Sequence, residues 1–288
     1  MNDPGSVVNA EQLEYWNGEA GERWAEQDEM MATLLRPIAE QLIDHANPAG
    51  SRRAIDIGCG GGSQSLLLAE RLGPDAAVLG VDISGPLLEV ARRRASQAPA
   101  SAAALDFLQA DAMTHPFEAG AYDLLFSRFG VMFFEDPVAA FSNLHAALDS
   151  SGRLAFSCWQ ALQDNPWVWL SVQAALRFVP PPEAPAPEAP GPFSFADPGR
   201  IESVLGSAGF KSIGVTPHAI TTHWGFEDSL EGNVRSLIQI GPVSRLLQGQ
   251  SAEVCEQVVN AVVEEMREFY DGNALSLPGA TWLVTATA

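Results

Sequence analysis

The chain has 288 residues, which suits one embellished domain or two small ones. Hydrophobic residues make up 47% and charged residues 18%, so there is material for a packed core. With 16 Lys+Arg against 36 Asp+Glu the formal charge is −20, which disfavours a nucleic-acid backbone or an anionic lipid surface as partner.

The first 50 residues read as helical. Leu13, Tyr15, Trp16 and Trp24 stand among acids, and Leu34, Leu35, Ile38, Leu42 and Ile43 recur at the spacing of an amphipathic helix that Asn47-Pro48 ends. From Arg53 the pattern alternates. Residues 54–57 form a short apolar run that enters Gly58-Cys59-Gly60-Gly61-Gly62, and a helix is expected over 63–72. Further strands are expected at 77–82, 105–109, 122–127 and 152–159, with helices over 86–98 and 137–148. Strands alternating with helices predict βαβ units and a mostly parallel sheet.

Beyond Trp159 the rhythm breaks. A helix is expected over 166–178, a proline-rich spacer over 180–192, a helix from Pro198 and a sixth strand over 210–217. A helical block over 227–270 and a last strand over 281–287 follow. The domain plan is an N-terminal helical lid (1–50), a core (51–160), a cap insertion with the proline-rich loop (161–195), core again (196–224), a helical cap insertion (225–275) and a final core strand (276–288). The cysteines, Cys59, Cys158 and Cys255, form neither a disulfide framework nor a zinc spacing, which fits a reducing cytoplasm. Neither a signal peptide nor a membrane span is expected. No metal site is expected either, because no carboxylates and histidines pair at ligand spacing.

The glycine cluster sits where a strand turns into a helix. Glycine there admits positive φ and lets a ligand approach bare backbone. Dinucleotide enzymes place G-x-G-x-x-G at such a turn to hold a pyrophosphate. Here Ser63 stands where the third glycine would be, and Asp56 lies inside the strand, where it would repel a diphosphate. An acid beside glycine amides suits a zwitterionic, cationic ligand such as S-adenosylmethionine better.

The run Ile55-Asp56-Ile57-Gly58-Cys59-Gly60-Gly61-Gly62 resembles the first motif of class I S-adenosylmethionine-dependent methyltransferases. Val81-Asp82-Ile83-Ser84, Gln109-Ala110-Asp111-Ala112 and Tyr122-Asp123-Leu124-Leu125-Phe126-Ser127 resemble the later motifs, in the family's order. Within that superfamily the chain is similar to the ubiquinone/menaquinone-biosynthesis branch, strongly over about 50–160 and more weakly over Tyr15–Arg36 and Phe193–Phe210. The resemblance implies a doubly wound α/β fold with a seven-stranded, mostly parallel Rossmann-like sheet, its last strand antiparallel, and a helical cap. It also implies S-adenosylmethionine as cofactor and methyl transfer to O or C of a small organic acceptor, quinone-like or phenolic. The alternative is a nicotinamide-dependent oxidoreductase on the same scaffold.

By the same resemblance Asp82 would accept from the ribose hydroxyls, with Ile83 on the adenine face; the other readings are a helix N-cap and plain core. Asp111 would take the adenine amino group and Ala112 a ring nitrogen, or the pair forms a capped turn. Gly58, Gly60 and the Ser127 backbone would meet the methionine end. Asp56 would order the loop or meet the ammonium through water, while Cys59 reads as a small packing residue within the cofactor loop. Phe129 and Met132 would face the acceptor or pack in the core. Arg128 would hold an anionic acceptor or pair with Asp136. Tyr15, Trp16 and Trp24 resemble a lid over the cofactor, or form an ordinary docked helix. Neither the residues nor the resemblance mark a catalytic base among His145, His218, His223 and Tyr15.

Overall fold

The computed structural model describes residues 9–182 and 189–288. Part of the expected proline-rich spacer, 183–188, lies outside the described residues. Three helices open the described chain: α1 (Ala10–Asn17), α2 (Glu19–Glu26) and α3 (Asp28–Ala46). The alternating region follows as β1 (Arg53–Ile57), α4 (Ser63–Leu72), β2 (Ala77–Asp82), α5 (Gly85–Ala95), β3 (Ala104–Gln109), β4 (Tyr122–Arg128), α6 (Pro137–Ala147) and β5 (Leu148–Trp159). Then come α7 (Pro166–Ala175), α8 (Pro198–Ser207), β6 (Lys211–Trp224), α9 (Leu230–Ile238), α10 (Gly241–Leu246), α11 (Ala252–Met266) and β7 (Leu275–Thr287).

The strands form one seven-stranded sheet in the order β3-β2-β1-β4-β5-β7-β6. β1 pairs in parallel with β2 and β4, β2 with β3, and β4 with β5. β7 runs against both its neighbours. Gln160 N–H donates to Ala280 O and Ala288 N–H to Gly152 O, while Thr287 Oγ1 meets Lys211 O and Thr281 Oγ1 meets His218 O. One partner's number rises as the other's falls, which is the antiparallel register. The six other strands share one direction, and the order reverses between β1 and β4, where such sheets open a crevice at the carboxyl ends.

The predicted strands at 210–217 and 281–287 are longer in the structure. β6 and β7 pair with each other, so each supplies hydrogen bonds that extend the other past the turn signals read in the sequence.

The chain divides into two compact units. One comprises Met1–Cys158, Ala189–Pro217 and Trp282–Ala288. The stripe expected on α3 is buried: Leu42 and Ile43 pack with Leu68 of α4, Ala54 of β1 and Leu124 and Phe126 of β4. Each buried Leu, Ile or Phe among them stabilises the fold by about 1.5–3 kcal/mol. The other unit comprises Trp159–Glu188 and His218–Thr281. In it α11 packs on α7 and α9, burying Val168, Val234, Leu237, Val258, Val262 and Met266. Arg235 braces its surface with Glu231 and Glu256. Of the aromatic residues in its sequence, Trp224 and Trp159 are buried whereas Phe178 and Phe226 are exposed. No helix among the described residues is long and apolar enough to cross a membrane.

Candidate functional site

The loop after β1 depends on glycine at different places for different reasons. Gly58 has φ +63°, and a Cβ there would lie 2.6 Å from Gly130 Cα, so the β1 and β4 loops touch backbone to backbone. Gly60 has φ +53° but nothing within 4 Å of where its Cβ would stand. Its backbone therefore faces open space. The amides of Gly58 and Cys59 donate to Val81 O at 2.8 and 3.1 Å, and Gly60 N–H donates to Asp82 Oδ2 at 2.8 Å. The Cys59 side chain turns inward against Leu88, Ala91 and Phe107. Burial, then the nearby Asp82 and Asp56 carboxylates, push its thiol well above the usual range, so it packs as a neutral thiol.

Three acids stand at the ends of β1, β2 and β3. Asp56 is fully buried. It accepts from Gln64 Nε2 and, at 2.5 Å, from Ser65 Oγ, both on the first turn of α4. Burial pushes its carboxyl up to about 7, against the lowering effect of those bonds and of the Arg128 guanidinium. With no exposed surface, Asp56 ties strand to helix. Asp82 is half-buried, and its two oxygens accept from Gly60 N–H and Ser84 N–H, each at 2.8 Å. Burial raises its carboxyl, while the amides of Ser84, Gly60 and Ile83 lower it. Each oxygen keeps a lone pair for a hydroxyl donor. The α5 N-cap is Ser84, whose Oγ accepts from Leu87 N–H, so Asp82 does not serve as that cap. Asp111 Oδ1 accepts from Met113 N–H at 2.9 Å in a turn, and its Oδ2 accepts from Asn9 Nδ2 at 3.3 Å. Ala112 is buried next to it.

The β4 loop is held by side chains. Ser127 Oγ donates to Ile57 O at 2.7 Å and accepts from Gly130 N–H at 3.2 Å, bridging β4 to β1. Arg128 donates to Leu35 O at 3.3 Å, and its Nε is buried without a partner. Burial lowers its guanidinium to about 10, in spite of the Asp56 and Asp28 charges that favour the cation. Asp136, the expected alternative partner, instead caps α6 by accepting from Ala139 N–H. Phe129 has φ +65°, a left-handed conformation that is strained for a bulky residue. Met132 is 2% exposed and packs in the core.

The N-terminal helices bond to these loops. Trp16 gathers Tyr15, Trp24 and Phe133 around it with ring centroids 5.2, 5.9 and 5.6 Å away. Its carbonyl accepts from Ser84 Oγ at 2.8 Å. Asn17 donates to Ile83 O at 2.9 Å and accepts from Gly85 N–H at 3.0 Å, with Gln109 reaching Ile83 O from the side. Arg94 donates to Gly61 O and pairs with Asp28 at 2.6 Å. Asn9, Asn17, Asp28, Arg94, Gln109 and Gly130 escape a reading of the sequence. Their long-range partners lie 26 to 126 positions away, and no local spacing marks such pairs. Gly130 alone carries a signal, as a glycine just past a strand at the switch point. Among the described residues no group of His, Cys, Asp and Glu is placed to hold a metal ion.

Residues 55–156, which span β1 to most of β5, match the family model of a methyltransferase domain. The chain is 32% identical over 130 residues to aklanonic acid methyltransferase DauC of Streptomyces sp. strain C5, covering 45% of this chain and 58% of that protein. It is 38% identical over 114 residues to demethylmenaquinone methyltransferase of Thermus thermophilus, covering 40% of this chain and 50% of that one. The chain thus spans little more than half the length of these curated relatives. Among solved structures, phosphoethanolamine N-methyltransferase 2 of Haemonchus contortus, in complex with phosphomonomethylethanolamine and S-adenosylhomocysteine, shares the fold. Its TM-score is 0.59 at 17% identity, over 99% of this chain and 61% of that one. The glycine loop, Asp56, Asp82 and Asp111 all fall inside residues 55–156, the segment that matches a methyltransferase domain.

Proposed function

We propose that this chain binds S-adenosylmethionine across the carboxyl ends of β1, β2, β3 and β4 and moves its methyl group to O or C of a small, quinone-like or phenolic acceptor. The observation that carries the reading is the Asp82 carboxylate against a glycine loop whose Gly60 backbone is open and whose amide already faces it, with Asp111 just past the neighbouring strand β3. A pyrophosphate would meet the Asp82 carboxylate at the loop, whereas a ligand with a ribose diol, a sulfonium and an ammonium suits it. The methyltransferase family match supports the same choice, and no observation favours the nicotinamide alternative. The acceptor class leans on the relatives, which are named for aklanonic acid and demethylmenaquinone.

The residues present fit the cofactor. The free lone pairs of Asp82 suit a vicinal diol, Ile83 the adenine face, Asp111 and Ala112 the adenine edge, and Gly58, Gly60 and the Ser127 backbone the amino-acid end. When bound, the sulfonium supplies a methyl group that is already activated. The chain then has to align the acceptor behind the methyl group and keep water out. Tyr15, Trp16 and Trp24 form the aromatic cluster for that exclusion, and aromatic faces attract a cation. Arg128 and Phe129 are assigned to the acceptor end, with Met132 supporting their loop from the core. In transfer the acceptor atom forms the new bond to carbon as the carbon–sulfur bond breaks. The electron pair passes to sulfur, and the acceptor's proton leaves to solvent. Free cysteines and the acidic surface suit a reducing cytoplasm and a small-molecule partner.

Titration calorimetry with S-adenosylmethionine, S-adenosylhomocysteine and NAD tests the reading. Micromolar binding of the two adenosyl ligands, lost in Asp82→Ala, is expected. Binding of NAD in their place would overturn it.

A further inference from the structure

Asn9 stands just before α1, at the N-cap, with φ +66°. Asparagine is favoured at that place because its Oδ1 can accept from an amide in the first turn. Here the side chain makes no cap bond. It reaches instead across the fold, where Nδ2 donates to Asp111 Oδ2 at 3.3 Å. That bond sets the orientation of the amide, because a carboxylate only accepts. The backbone N–H donates to Glu135 Oε2 at 2.7 Å, so Asn9 is pinned at both ends. Its Oδ1 is left buried with no hydrogen-bond partner. A buried acceptor without a donor is costly and calls for an explanation.

We propose that Asn9 Oδ1 is a second acceptor, beside the Asp111 carboxylate, for the exocyclic amino group of adenine, so that the site selects a 6-aminopurine over a 6-oxopurine. The inference rests on the S-adenosylmethionine reading above. An exocyclic amino group offers two N–H donors and no acceptor. Asp111 Oδ2 and Asn9 Oδ1 are two acceptors in adjoining side chains, and Asp111 Oδ1 is already engaged by Met113 N–H. A 6-oxo group would bring a third acceptor to the pair and leave Asn9 Oδ1 unmet. The segment that carries Asn9 thereby reads the cofactor's base as well as covering the site.

The experiment is calorimetric titration of wild type and Asn9→Ala with S-adenosylhomocysteine and with S-inosylhomocysteine, its 6-oxo analogue. Expected is a loss of about five- to tenfold in affinity for the adenosyl ligand in Asn9→Ala, with the inosyl ligand unchanged or bound more tightly. Equal weakening of both ligands makes Asn9 an anchor for α1 and overturns the proposal while the cofactor reading stands. A wild type that binds both ligands equally overturns it too. A wild type that binds neither overturns the cofactor reading together with it. The thermal midpoints of both proteins without ligand show whether the variant is folded, and Asn9→Ser, which keeps a short side-chain acceptor, should recover part of the adenosyl preference.

Discussion

The loops after β1 and β4 flank the same switch point and are built by opposite means. The β1 loop is nearly all backbone: its amides bond to Val81 O and to Asp82, and Gly60 opens to space. The β4 loop is set by side chains: Ser127 Oγ holds both Ile57 O and Gly130 N–H, and Phe129 is kept at positive φ. The two meet at Gly58 and Gly130, where neither tolerates a Cβ. A loop left to bare backbone can approach a ligand closely. A loop locked by side chains can instead hold a strained residue in place. Glycine count alone does not distinguish a binding glycine from a packing one; the space around the missing Cβ does.

The sharpest test of that contrast is Gly58→Ala. Positive φ costs about 1–2 kcal/mol and the clash with Gly130 about 1–3 kcal/mol more, so a loss of about 4 kcal/mol is expected in denaturant unfolding. A near-neutral result would mean the two loops separate easily.

Next comes Asp56→Asn, read against pH. Asp56 in the folded protein has its carboxyl raised to about 7, above the unfolded value of about 4. Between those values the folded state holds a proton that the unfolded chain has released. Its stabilising contribution is therefore complete below about pH 4 and is lost as pH rises through about 7. Asp56→Asn removes this dependence, so the variant should gain on wild type by on the order of 3 kcal/mol between about pH 4 and about pH 8. Parallel thermal-midpoint curves for the two proteins across that range would show Asp56 to be ionised throughout.

Gly60→Ala is the counterpart of Gly58→Ala. Only the φ strain of about 1–2 kcal/mol applies, because the space is open. Stability should fall modestly while S-adenosylhomocysteine affinity falls about tenfold or more, given a methyl group on the face a ligand approaches. Equal damage from the two glycine variants would erase the distinction between them. Smallest is Ser127→Ala, which removes one donor to Ile57 O and one acceptor from Gly130 N–H. About 1 kcal/mol of stability should go, with increased hydrogen exchange at Gly130 as the local signature.

The alternating core was legible. The order and type of the elements from β1 to β5 follow from apolar runs broken by glycine, Asp-Pro and Asn-Pro, all of which act within a few residues, although α5 ends at Ala95 instead of 98 and β5 starts at Leu148 instead of 152. Of the proposed site, the positions of Gly58, Gly60, Asp82 and Asp111 at the strand ends were legible, because glycine and acid fall at short intervals along the sequence there. Illegible were the docking of the N-terminal helices through Asn9, Asn17 and Asp28, the packing role of Gly130 and the strained Phe129. Each depends on a partner far along the chain. The lengths of β6 and β7 were also missed, since a strand's end is set by its neighbour as much as by its own residues.

From the sequence alone come the α/β class, the glycine loop and the acids that follow the strands, because local propensity and turn chemistry are written in adjacent residues. Only the tertiary structure decided that Asp56 is a buried tie with a raised pKa, that Gly60 is open while Gly58 is packed, and that Asn9 lies against Asp111. Burial and hydrogen-bond partnership arise when distant segments meet, and they determine whether the same residue type binds, packs or titrates.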